Sequence, residues 1–421
     1  MHDRLFVRAC VRAQVVESHP EHPFPDVRIV QPPAALRQLV DTQYADLAAI
    51  PSNSFAHTPW AILLICAVDA WRVANGGATP TTYTQKKEIR ALIESMRRTG
   101  VQADQNIDEA LNAVNTALNS AAPSASVAGI VAEARGKLSS LVAEGYQNML
   151  TDGESPSAAQ PAAAATTVRK TQLAFWLMAA ATERFVANEG NGLLPLIGNI
   201  PDMTADTGTY VNLQQLYAQQ AAADVAAVQA HVREISAEEG LSADTVTPEE
   251  LKRFCKNAHS LGKFAFHPAA MEYALGRPAD KAASASSLAS RLSAKLHSDD
   301  TRVAAGLYLL LWAAQAFRAQ RSCWPGDEAS AIESDLPRLK QCLGEVAKAI
   351  GLPPAASGSH VPDEQLAEFC RWGGSEMHAM ASVMGGIASQ EAIKAATHQY
   401  QPLNNTFIYN GASGITATFE L

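Results

Sequence analysis

The sequence contains no G-x-G-x-x-G, no G-K-[ST] loop, no H-E-x-x-H and no G-x-S-x-G. The common ways of cradling a phosphate, holding zinc on a helix face or raising a nucleophilic serine are therefore missing. There is no excess of positive charge: 33 Lys and Arg against 42 Asp and Glu leave a formal net charge of -9, which argues against nucleic acid or anionic lipid as a partner. There is no long apolar run. The best apolar helix, Val303 to Phe317, is interrupted by Gln315 and is shorter than the roughly 20 residues a membrane span needs. Met1-His2-Asp3-Arg4 opens neither a signal peptide nor a lipidation motif, so the expected compartment is the cytosol or nucleus.

Cysteine is sparse and unpaired. Cys10, Cys66, Cys255, Cys323, Cys342 and Cys370 stand singly with no C-x-x-C, the pattern of reduced thiols and not of a disulfide framework or zinc site. Cys66, Cys255, Cys342 and Cys370 fall in helical patterns beside large apolar residues and are expected in the core. Cys323, next to Trp324-Pro325-Gly326, is the nearest candidate nucleophile, but Arg321 is the sole nearby base and the structural reading is preferred. His19 and His22 flank Pro20-Glu21, where proline keeps the chain extended; an exposed turn is expected there, not a metal site.

What is present reads as globular and mostly helical. Hydrophobic residues make up 47% of 421 and charged residues 18%, enough for two or three structural units. Leu5 to Val16 reads as a strand leaving a sheet, followed by a proline-rich stretch through Pro33. His57-Thr58-Pro59-Trp60 opens a helix with Thr58 as N-cap and Pro59 at the first helical position, and Asn75-Gly76-Gly77 closes it. Helical stripes follow: Ile107, Leu111, Val114 and Leu118; Phe175, Met178, Thr182 and Phe185; Leu213, Tyr217, Ala221, Val225, Val228 and Val232; Val303, Leu307, Leu310, Ala314 and Phe317. Thr247-Pro248-Glu249-Glu250 is a capping box. The Ala/Ser-rich segments 151–167 and 278–287 are expected to be flexible loops.

Near the end, a helix from about Ala379 to His398 precedes a hairpin, Asn405 to Tyr409 and Gly414 to Phe419, around an Asn410-Gly411 turn. Gly385-Gly386 inside that helix predicts close approach of another backbone. With a strand in front, a helix and strands behind and helices between, the fold class is mainly α, a large helical insertion within an α/β domain. Asp202 and Asp206 precede the helix that starts near Tyr210, where carboxylates cap the helix and are compatible with a rigid contact surface.

Three blocks of residues resemble one family. The first is Gly385-Gly386-Ile387-Ala388-Ser389-Gln390-Glu391-Ala392-Ile393-Lys394 with Asn404 to Tyr409 and Thr416 to Leu421. The second runs from Phe175-Trp176 through Phe185 to Gly192 and into Ile200-Pro201-Asp202-Met203 and Tyr210 to Leu213. The third comprises Val16 to Pro20, His57 to Trp60 and Asn112 to Asn119. Together they are similar to the regulatory, non-catalytic subunits of the heterodimeric enzyme that activates the ubiquitin-like modifier NEDD8; the second block resembles a helical insertion that the shorter SUMO-pathway subunit lacks.

The resemblance implies an incomplete Rossmann-like domain, residues 1–56 and 373–421, enclosing a helical insertion over residues 57–372. It implies protein neddylation as the pathway and no catalytic residue, cofactor or metal in this chain. A separate catalytic subunit would hold ATP and magnesium, adenylate the modifier and take it as a thioester; the modifier is a further candidate partner. By position the partner-binding stretch is Asp202 to Gln215, with Asp202, Asp206, Tyr210, Leu213, Gln214 and Gln215 as its residues. Family members also carry a Rossmann-like portion ahead of Val15-Val16 that has no counterpart here, which predicts a truncated chain with exposed apolar faces on the Leu5 strand, the Ala379 helix and the hairpin. The alternative is a helical interaction module that binds the catalytic subunit without supporting activation.

Overall fold

The computed structural model describes residues 6–8, 14–15, 26–98, 104–119, 122–151, 159–263, 282–328, 331–353, 360–371, 377–397, 399–404, 406–411 and 413–420. His19, His22 and Cys10 lie outside them. The chain forms two compact units, residues 15–262 and residues 1–14 with 263–421, so the helical stretch 57–372 is shared between both.

In residues 15–262 the described helices are α1 (Ala34–Gln43), α2 (Ser52–Phe55), α3 (Trp60–Ala74), α4 (Tyr83–Ser95), α5 (Gln105–Ala117), α6 (Ala125–Thr151), α7 (Ala159–Ala187), α8 (Thr207–Glu238) and α9 (Pro248–Lys256). Apolar on nearly every side, α3 is buried from Trp60 to Ile65 and again at Ala67, Val68 and Trp71, as such a composition requires. Around it pack Leu36 and Val40, Ile89 and Ile93, Ile107 and Val114, and Leu213 and Tyr217. Two polar side chains inside this core are satisfied: Asn106 Nδ2 donates to the carbonyls of Phe55 at 2.7 Å and Thr58 at 3.1 Å, and Trp71 Nε1 donates to Glu88 at 2.7 Å. Farther along α7, Phe175 meets Trp176 edge-on at 5.0 Å and Phe254 of α9 at 5.8 Å.

The other unit contains β1 (Phe6–Arg8), α10 (Ala282–His297), α11 (Arg302–Arg321), α12 (Ile332–Ile350), α13 (Asp363–Arg371), α14 (His378–Thr397), β2 (Thr406–Asn410) and β3 (Ile415–Phe419). Its core centres on α11, where Leu307 to Leu310, Ala313, Ala314 and Phe317 meet Leu339 and Leu343 of α12, Leu366 and Phe369 of α13, and Ile408 and Phe419 of the sheet. The sheet is antiparallel with order β1-β2-β3; Phe6 pairs with Ile408, and Thr406 with Phe419.

Several expectations change. Of the strand expected over Leu5 to Val16, Phe6–Arg8 and Gln14–Val15 are strand and the rest lies outside the described residues. Thr58 is buried and makes no cap; Pro59 holds the N-cap position of α3, without a side-chain hydrogen bond. Alanine, the best helix former, carries α7 through 159–167, half of the segment expected as a loop, and α10 likewise takes 282–287. Val303, placed on the apolar stripe, is 46% exposed. In the hairpin turn, Gly414 has a positive φ and donates its N–H to the Asn410 carbonyl at 2.8 Å. Asn410 stays in the strand, paired with Ile415. Cβ atoms added at Gly385 and Gly386 would meet nothing within 4 Å, so no backbone among the described residues packs closely there.

Candidate partner-binding edge

Between α7 and α8 the chain crosses residues 188–206 without helix, and four ties fix it. Arg28, held by Asp26 at 3.0 Å, donates to the Leu194 carbonyl. Leu196 N–H donates to Asp224 at 2.9 Å, inside the core. At Gly198, with φ +84°, the backbone runs so close to α8 that an added Cβ would lie 2.7 Å from Ala221 Cβ. Glu109 of α5 accepts from Thr204 twice, from N–H at 2.9 Å and from Oγ1 at 2.6 Å.

This route delivers Asp206 to the start of α8 as its N-cap. Its carboxylate accepts from Thr209 N–H at 2.9 Å and from Thr209 Oγ1 at 2.6 Å, and those bonds, the hydroxyl's first, hold Asp206 below its ordinary carboxylate pKa. Tyr44 reaches the same threonine, and burial raises its hydroxyl pKa despite that contact. Asp202 is exposed, with Oδ1 accepting its neighbour's Met203 N–H at 3.1 Å. It contributes no cap to α8.

The first turns of α8 divide the remaining expected residues by face. Gln214 and Gln215 are exposed and Tyr210 is half-buried, its hydroxyl 3.5 Å from the Pro201 carbonyl. Leu213 is fully buried in this unit's own core; it anchors the helix and presents nothing outward. Val211, 42% exposed, sits on the outward face that Leu213 does not share. The result is a braced edge of acidic and amide groups around one apolar side chain. Such an edge orders little on binding, because its backbone is already fixed. Glu109 and Val211 escaped the sequence reading: Glu109 is 95 residues from Thr204, a distance no local spacing reveals, and a lone valine on a helix carries no signal.

Among the described residues nothing nucleophilic stands out. Burial pushes the thiols of Cys66 and Cys370 up to about 11 and of Cys255 up to about 12, and raises Cys342 as well, so these stay protonated and unreactive at neutral pH. Cys323 packs against the α11 core. Among the described residues no group of three His, Cys, Asp or Glu side chains could hold a metal, and no helix is long and apolar enough to cross a membrane.

No family model matches the chain. It is similar over nearly all its length to proteins described as NEDD8-activating enzyme E1 regulatory subunits. The one from Danio rerio is 32% identical over 411 residues, covering 97% of this chain and 68% of the relative; the one from Xenopus laevis is 34% identical over the same coverage. SUMO-activating enzyme subunit 1 of Bos taurus is 32% identical over 107 residues, 25% of this chain.

Proposed function

Because this chain belongs to the family of NEDD8-activating enzyme E1 regulatory subunits, we propose that it works by seating a separate catalytic subunit, which it contacts through Asp202, Asp206, Tyr210, Gln214 and Gln215. The observation that carries this reading is the edge itself: exposed acidic and amide groups on a connection tied at Leu194, Leu196, Thr204 and Asp206. Carboxylates presented this way pair with cationic or N–H donors of a partner, and losing one leaves the donor unsatisfied. In this reading ATP and magnesium are held by the catalytic subunit, which adenylates the modifier and takes the thioester. In this reading this chain supplies no reacting group of its own. It acts in the cytosol or nucleus.

The test is co-purification with a catalytic subunit and ATP-dependent charging of NEDD8, for the chain and for Asp202→Ala combined with Gln214→Ala. The pair is expected to weaken binding by about 2 kcal/mol, roughly thirtyfold in Kd, as truncation near the centre of an interface does, and to reduce charging in proportion. Unchanged affinity removes the edge from the interface. Binding without any charging would favour an interaction module over a working subunit, and thioester formation by this chain alone would overturn the non-catalytic reading.

A further inference from the structure

His231, on α8, has a side chain only 11% exposed and a carboxylate against each ring nitrogen. Nε2 lies 3.1 Å from Glu189, and Nδ1 lies 3.2 Å from Glu234. A neutral imidazole has one N–H and can donate to only one of them, leaving a lone pair facing an anion; an imidazolium donates to both. Glu189 comes from the turn that ends α7. That turn is fixed by Gly190 N–H to the Phe185 carbonyl at 2.7 Å and Gly192 N–H to the Val186 carbonyl at 2.8 Å, with Asn191 and Gly192 in the left-handed region.

The surroundings are rich in negative charge. Arg184 of α7 stands 3.5 Å from Glu234 and 2.7 Å from Glu238, while Arg135 of α6 reaches Glu238 at 2.6 Å and Glu239 at 3.3 Å. Glu234, Glu238 and Glu239 thus face two guanidinium groups, and a protonated His231 adds a third cation, set between Glu234 and Glu189.

We propose that His231 is a proton-dependent latch: as an imidazolium it bridges Glu189 and Glu234 and pins the start of the 188–206 connection to α8, and on losing its proton it keeps only one of the two bonds and loosens its hold on that turn. Burial of the ring opposes its charge, but hydrogen bonds to Glu189 and Glu234 outweigh burial and raise its pKa above 6.5. The bond to His231 is the main reason Glu189 is held low. A raised folded-state pKa means that the latch contributes its full stabilisation below the unfolded value and loses it as pH rises through the folded value. The latch stands independently of which partner the edge binds.

The experiment is a histidine NMR titration of the full chain, with His231→Gln assigning the resonance, together with amide-exchange protection factors for residues 188–194 at about pH 6 and about pH 8.5. His231 is expected to titrate above 6.5, and protection of the turn to fall with pH in the wild type but not in His231→Gln. Glu189→Gln, which keeps the size and removes the charge, is expected to lower the His231 titration and serves if the first variant does not fold. Titration at or below the ordinary value, or protection in the wild type that is indifferent to pH, overturns the latch.

Discussion

At the scale of single residues, Asp206 carries the start of α8. It satisfies the Thr209 N–H and hydroxyl together, groups that no helical carbonyl can serve at an N-terminus. Asp206→Ala is expected to cost about 1 kcal/mol, read as a lower urea midpoint with unchanged slope, while Asp206→Ser, which retains a cap, stays close to wild type. Because Asp206 titrates below its ordinary value, its stabilisation is present above the unfolded carboxylate pKa and fades as pH falls through the folded one. The Ser variant, whose cap does not titrate, should lack that acid sensitivity. Leu213 shows the limit of carrying a role over by position: it falls inside the expected partner stretch, yet its place on the helix turns it into the core.

At the scale of elements, α14 is the informative case. A glycine pair in a helix suggests a tight backbone contact, but Gly385 and Gly386 face open space and of the whole helix only Met384 and Glu391 are buried. With helical dihedrals and no clash, Gly385→Ala and Gly386→Ala are each expected to stabilise by about 0.5–1 kcal/mol, seen as an upward shift in thermal midpoint. A loss of stability would mean that something packs on that face after all. Elements with a local mechanism were legible from sequence: the Thr247 box, closed at both ends by Glu250, the Gly76-Gly77 stop after α3, and the stripe of Ile107 and Val114. Those decided by competing local preferences were not. Ala-rich 159–167 follows helix propensity instead of its loop-like composition, and Pro59 takes the cap position because Thr58 is drawn into the core. The bracing of the edge was invisible for a different reason, since Glu109 and Thr204, or Arg28 and Leu194, meet only in the folded chain.

At the scale of the whole molecule, residues 15–262 form a continuous unit with its own core around α3. Expressed alone, that segment is expected to unfold in one cooperative transition and keep its helical circular dichroism; a broad, non-cooperative melt would show that its core is incomplete. Residues 1–14 and 263–421 make the other unit, whose sheet joins Phe6–Arg8 to Thr406–Asn410. That pairing has a consequence for biosynthesis. The first strand leaves the ribosome before its hydrogen-bonding neighbour has been translated, and at about 5–20 residues per second it waits roughly 20–80 s with an unpaired edge. The middle of the chain can fold during that interval. The unit that pairs Phe6–Arg8 with Thr406–Asn410 cannot close until the chain between them has been made, so its yield should depend on what shields the early strand in the meantime.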